Sequence, residues 1–66
     1  MTVLKEIGIA ISSARKENGL TQEQFAELVG ISERTLREIE NGKGNPSFTA
    51  VARSADALGM VLGVLS

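Results

Sequence analysis

Arg34 and Arg37 lie three residues apart in a stretch, 33–41, that also carries Leu36 and Ile39. On a helix of about 100° per residue, Leu36 and Ile39 share one face. Arg34, Arg37, Glu38 and Asn41 then project from the other side. A guanidinium can donate two parallel hydrogen bonds to guanine O6 and N7, worth about 1–3 kcal/mol of discrimination against another base. Arg34 and Arg37 are therefore the side chains on this stretch that could read a base edge. Glu33 heads the stretch, where an acid is also favoured by the helix dipole; facing a base, it would accept from cytosine N4. It stands four residues from Arg37, close enough to pair with it on a free surface. Glu38 suits a solvated or discriminating acid better than a direct reader. Other chemistry is poorly supplied. The chain has no Cys and no His, hence no disulfide, no zinc site of the usual kind and no imidazole base. Asp56 and the scattered glutamates have no nucleophile beside them in the pattern. No enzyme, no cofactor and no small-molecule substrate are expected.

The elements that must position these residues are short. At 66 residues the chain, 1–66, is one domain, which buries only roughly 60% of the surface its unfolded form exposes. With no disulfide or metal to help, a second subunit is the expected support. Gly19, Gly30, Gly42, Gly44 and Gly59 each follow a periodic apolar stretch, as helix-terminating glycines do. Thr21, Ser32 and Ser47 follow three of these breaks as N-cap candidates. The spacing predicts helices over 2–18, 22–29, 33–41 and 48–58. Val3, Ile7, Ile11 and Ala14 form the inward stripe of the first; Val51, Ala52, Ala55 and Leu58 form that of the fourth. Thr21 with Gln24 fits a capping box, and Leu20 with Phe25 and Ile31 with Leu36 stand at hydrophobic-staple spacing. Pro46 keeps Asn45 out of the helical region. The tail Met60, Val61, Leu62, Gly63, Val64 and Leu65 is apolar and partly β-branched, and it reads as a strand. The apolar stretches 7–14 and 58–65 are too short to span a bilayer, so no membrane is expected and a cytoplasmic protein is.

Residues 22–41 carry the requirements of a helix–turn–helix. Ala26 is small where two helices would cross, Gly30 permits a sharp turn, Ile31 plugs the corner, and Leu36 with Ile39 anchor the second helix. With this string on the page, the chain resembles the phage-repressor-like (Cro/C1, XRE) helix–turn–helix family. The matching residues are Arg15-Lys16-Glu17-Asn18-Gly19-Leu20-Thr21-Gln22, then Ala26, Gly30, Leu36 and Ile39-Glu40-Asn41-Gly42-Lys43, set in a span from about Ile7 to Gly59. The resemblance implies an all-α, lambda-repressor-like DNA-binding domain of four helices, here followed by the short C-terminal strand. It implies that the third helix enters the major groove of double-stranded DNA and that its first residues read bases, which makes Glu33, Arg34 and Arg37, and after them Glu38, the base-reading candidates.

Further roles follow from the resemblance. Gln22 would hold the DNA backbone. Helix starts can bind phosphate through their N–H groups, which adds Thr21 and the pair Ser47 and Phe48; Asn41 and Lys43 are the loop candidates. Arg15 and Glu40 match positions that pair in the family, and a partly buried structural ion pair is expected of them. The tail at 60–65 resembles the HipB-like antitoxin branch, in which C-terminal strands of two subunits pair. A lone strand leaves its backbone groups unsatisfied, which a two-fold partner corrects. A frayed fifth helix at a dimer interface is the rival reading, and both give a homodimer. Ile9, off the inward stripe, is a further contact candidate.

Charge constrains this picture. Over 21–43, Arg34, Arg37 and Lys43 face Glu23, Glu27, Glu33, Glu38 and Glu40; three bases against five acids leave −2. A monomer should bind non-specific DNA weakly. The reading is a sequence-specific regulator, a repressor or an autoregulating antitoxin with a kinase-like toxin as partner, bound as a dimer to a palindromic operator. The alternative is a protein-interaction module with the same fold that does not bind DNA.

Overall fold

Three hydroxyl side chains set where helices begin. In the computed structural model, which describes residues 3–59, Thr21, Ser32 and Ser47 are extended N-cap residues whose side-chain oxygens accept from the backbone N–H three residues on. The elements are α1 (Val3–Glu17), α2 (Gln22–Val29), α3 (Glu33–Asn41) and α4 (Phe48–Ala57). At Thr21 the capping box is complete, with Gln24 bonding back to the Thr21 N–H at 2.9 Å. Among the described residues all regular structure is helical. The strand expected at 60–65 lies outside them, as does Thr2.

α3 packs against both α1 and α2, and α4 meets α2. Ile11 of α1, Phe25 and Ala26 of α2, Leu36 and Ile39 of α3, and Ala50 and Val51 of α4 form one buried cluster. Ile7, Leu20, Val29, Ile31 and Leu58 seal its edge, which places both staple pairs on the core. Ser54 is fully buried as well, and its hydroxyl is satisfied by donating to the Ala50 carbonyl at 2.9 Å.

Two details depart from the periodic reading. Val3, expected on the inward stripe, is mostly exposed. The buried face of α1 runs through Gly8, Ile11 and Arg15, and in the first turn it is Leu4, beside Ile39 and Val51, that lies on it, about 100° around the helix from Val3. The second detail is Gly8, buried in the middle of α1. A Cβ there would collide with the Ile39 carbonyl oxygen and stand 2.8 Å from that of Glu40. The close approach of α1 to α3 therefore rests on Gly8, whereas the small residue singled out from the sequence was Ala26. Ala26 is buried too, in α2.

Candidate nucleic-acid interface

The turn between α2 and α3 is fixed by backbone geometry. Gly30 has φ 85°, a left-handed conformation that a side chain disfavours. Its N–H and that of Ile31 both donate to the Ala26 carbonyl, at 2.9 and 3.0 Å. Ser32 then opens α3, accepting from the Thr35 N–H at 3.0 Å and donating to the Thr35 hydroxyl at 2.9 Å. Leu36 and Ile39 are buried, so the rotation of α3 about its axis is set by the core.

That rotation turns the arginines outward. The Arg34 side chain is 85% exposed and Arg37 about half exposed. Each faces a carboxylate on its own helix. Arg37 Nη1 lies 3.1 Å from Glu33 Oε2, and Arg34 Nε lies 3.8 Å from Glu38 Oε2. Both are i,i+4 pairs, and such exposed pairs contribute only about 0.3–0.5 kcal/mol. The Arg34–Glu38 pair was legible in the four-residue spacing but was not drawn from it. Glu38 is the less exposed partner, at 32%. It lies under the loop after α3: a Cβ on Gly44 would stand 2.6 Å from Glu38 Cδ, and the Lys43 N–H donates to the Glu38 carbonyl at 3.0 Å.

The phosphate candidates occupy several sites. Thr21 and Ser47 are exposed, and each has its hydroxyl committed to a cap, at 3.0 and 3.1 Å. Asn41, Lys43 and Phe48 are exposed, Phe48 as one of the large apolar side chains on the surface. Gln22 is engaged: its amide nitrogen donates to Glu40 Oε1 at 3.0 Å.

Glu40 is the hub of that contact. Arg15 Nε donates to Glu40 Oε2 at 2.7 Å and Arg15 Nη2 to Glu40 Oε1 at 3.1 Å, a two-pronged pair whose side chains are 9% and 5% exposed. Arg15 Nη1 donates to the Leu20 carbonyl at 2.7 Å. One buried network thus ties α1, the residue before the α2 cap, the first residue of α2 and the last turn of α3. Three donors from two side chains converge on this carboxylate, which is what a buried acid requires to remain paired. The Gln22 branch could not be read from sequence, since it depends on how α2 and α3 meet.

Among the described residues no group of His, Cys, Asp or Glu could hold a metal ion, and no helix is long and apolar enough to cross a membrane.

Comparison with known proteins agrees with this geometry. Residues 11–62 match the Helix-turn-helix family. An uncharacterized HTH-type transcriptional regulator of Methanothermobacter thermautotrophicus is 47% identical over 49 residues, 74% of this chain and 71% of that protein. The antitoxin HipB of Escherichia coli is 30% identical over 53 residues, 80% of this chain and 56% of that protein. In fold, the chain is similar throughout its length to a chain of the HipA-HipB-O2-O3 complex, with a TM-score of 0.80, 23% identity and 93% of that chain covered. With the turn, the anchored α3 and the family match in agreement, the chain belongs to the XRE-type helix–turn–helix family of transcriptional regulators.

Proposed function

We propose that the protein is a sequence-specific regulator that binds a palindromic operator as a homodimer and represses by occupying it. The observation that carries this reading is the orientation of α3. Leu36 and Ile39 fix its inner face in the core while Arg34 and Arg37 stand on its outer face. Inserted into a major groove, that face offers two guanidinium forks to base edges. Glu33 shares the first turn, and Glu38 follows on the same side. Thr21 and Gln22, Asn41 and Lys43, and Ser47 and Phe48 would meet the flanking phosphates. Two subunits would set their recognition helices about 34–36 Å apart, one turn of DNA.

The dimer is assigned to residues 60–65, whose apolar strand would pair with its copy. Similarity to HipB, an antitoxin, supports a narrower role as an autoregulating antitoxin with a kinase-like toxin as partner. One observation favours a second reading. Both outward arginines face glutamates, and the segment 21–43 carries −2, which suits a protein-interaction module.

Selection of binding sites from random duplex DNA with the purified protein separates the two. The regulator enriches a two-fold symmetric motif. Failure to enrich any motif at low salt would leave the interaction module.

A further inference from the structure

We propose that Glu38, partly covered by the loop at Gly44, is a negative charge that sets specificity by competing with DNA for Arg34. The proposal rests on the reading of α3 as the base-reading helix and adds a residue that acts without touching a base.

The two glutamates facing the arginines differ in freedom. Glu33 sits in the first turn of α3 with its side chain nearly half exposed. Nothing in its placement stops it from swinging aside when DNA arrives. Glu38 is covered on one side by the loop after α3. Its Cγ, Cδ and Oε2 lie within 2.9 Å of where a Cβ on Gly44 would stand, so the carboxyl group occupies space that only a glycine leaves open. The Lys43 N–H bonds the Glu38 backbone carbonyl, which sets the path of the loop over this turn of α3. The loop thus closes one side of the carboxylate, and Arg34 lies 3.8 Å from it on the same helix.

At 3.8 Å the Arg34–Glu38 pair is an attraction, longer than a hydrogen bond. Arg34 can leave it, but only for a better acceptor. A base edge offering two aligned acceptors is one; a single phosphate oxygen reached at an arbitrary angle is a poorer one. An acid close to the groove also repels phosphates that approach out of register. Both effects weaken non-operator DNA more than operator DNA, which is how a repulsive element creates discrimination. Gly44 acts through Glu38 and is a positioning residue.

The test compares the full-length wild type with Glu38→Gln on the selected operator and on a scrambled duplex, each at several salt concentrations. Gln keeps the shape under Gly44 and removes the charge. Affinity for the scrambled duplex should tighten about tenfold and affinity for the operator by much less, with the salt slope on scrambled DNA steeper by about 0.9 per subunit. In an Arg34→Ala background the same change should lose the part of its effect that comes from competition, leaving only the repulsion. Glu27→Gln on exposed α2 alters net charge equally and serves as the control. If the Gln variant does not fold, Glu38→Ala gives the same readout. Equal tightening on both duplexes, matched by the control, would overturn the proposal. So would weakened operator binding with an altered preference at one base pair, which would make Glu38 a direct reader. A wild type that enriches no motif sinks the functional reading itself, an outcome distinct from a wild-type motif with an unchanged specificity ratio.

Discussion

Arg15 and Glu40, twenty-five residues apart in the chain, grip each other through two hydrogen bonds in a largely buried site between α1 and α3. The pair also holds the Leu20 carbonyl and the Gln22 amide, so it aligns the start of α2 with the end of α3. It joins the scaffold to the residues expected to meet DNA.

Removing one member should be costly because the other charge stays buried and unpaired. Glu40→Ala should lower unfolding free energy by about 3–5 kcal/mol, read from urea melts. The double variant Arg15→Met with Glu40→Leu should recover much of that loss, since an apolar pair of similar volume leaves no charge unpaired. Additive losses would show that the two side chains contribute independently.

Gly8→Ala tests the contact between α1 and α3. Alanine is the better helix former by about 1 kcal/mol. Its methyl group, however, meets the carbonyl oxygens of Ile39 and Glu40 at the crossing. The net expectation is destabilisation of about 1–3 kcal/mol, as for other overpacked sites, seen as a lower Tm. A raised Tm would mean that the helices can separate without loss.

Arg34→Ala should relax base preference while leaving stability within about 0.5 kcal/mol, because the side chain is almost wholly exposed. Discrimination at the contacted base pair should fall by about 1–3 kcal/mol. An equal weakening on every sequence would make Arg34 a phosphate contact.

Deleting residues 60–66 should yield a monomer by sedimentation and reduce operator affinity. An unchanged dimer mass would remove the tail from the interface and direct attention to exposed Ile9 and its neighbours on α1.

Residues 22–41 were the most legible part of the chain, for a local reason. Their ends are written by caps and glycines within a few residues of one another, so α2 and α3 begin and end where the sequence places them. Three features were not legible in the same way. Gly8 has no side chain to enter a periodic pattern; its signal was a glycine inside a helical stretch, where it lowers stability unless something must come close. The Gln22–Glu40 bond depends on the crossing of α2 and α3, which spacing within either helix does not specify. The seat of Glu38 beneath Gly44 arises from the path of a loop. For Val3 the stripe was placed off the buried face: Gly8, Ile11 and Arg15 turn inward, and the residue of the first turn on that face is Leu4.

The central claim is that α3 reads base edges in the major groove, and methylation interference at guanine N7 tests it most directly. On a selected operator, methylation should block binding at guanines in two successive major grooves one helical turn apart, and Arg34→Ala should abolish the strongest of these effects. Insensitivity to guanine methylation on a bound site, or interference confined to the minor groove, would contradict the account.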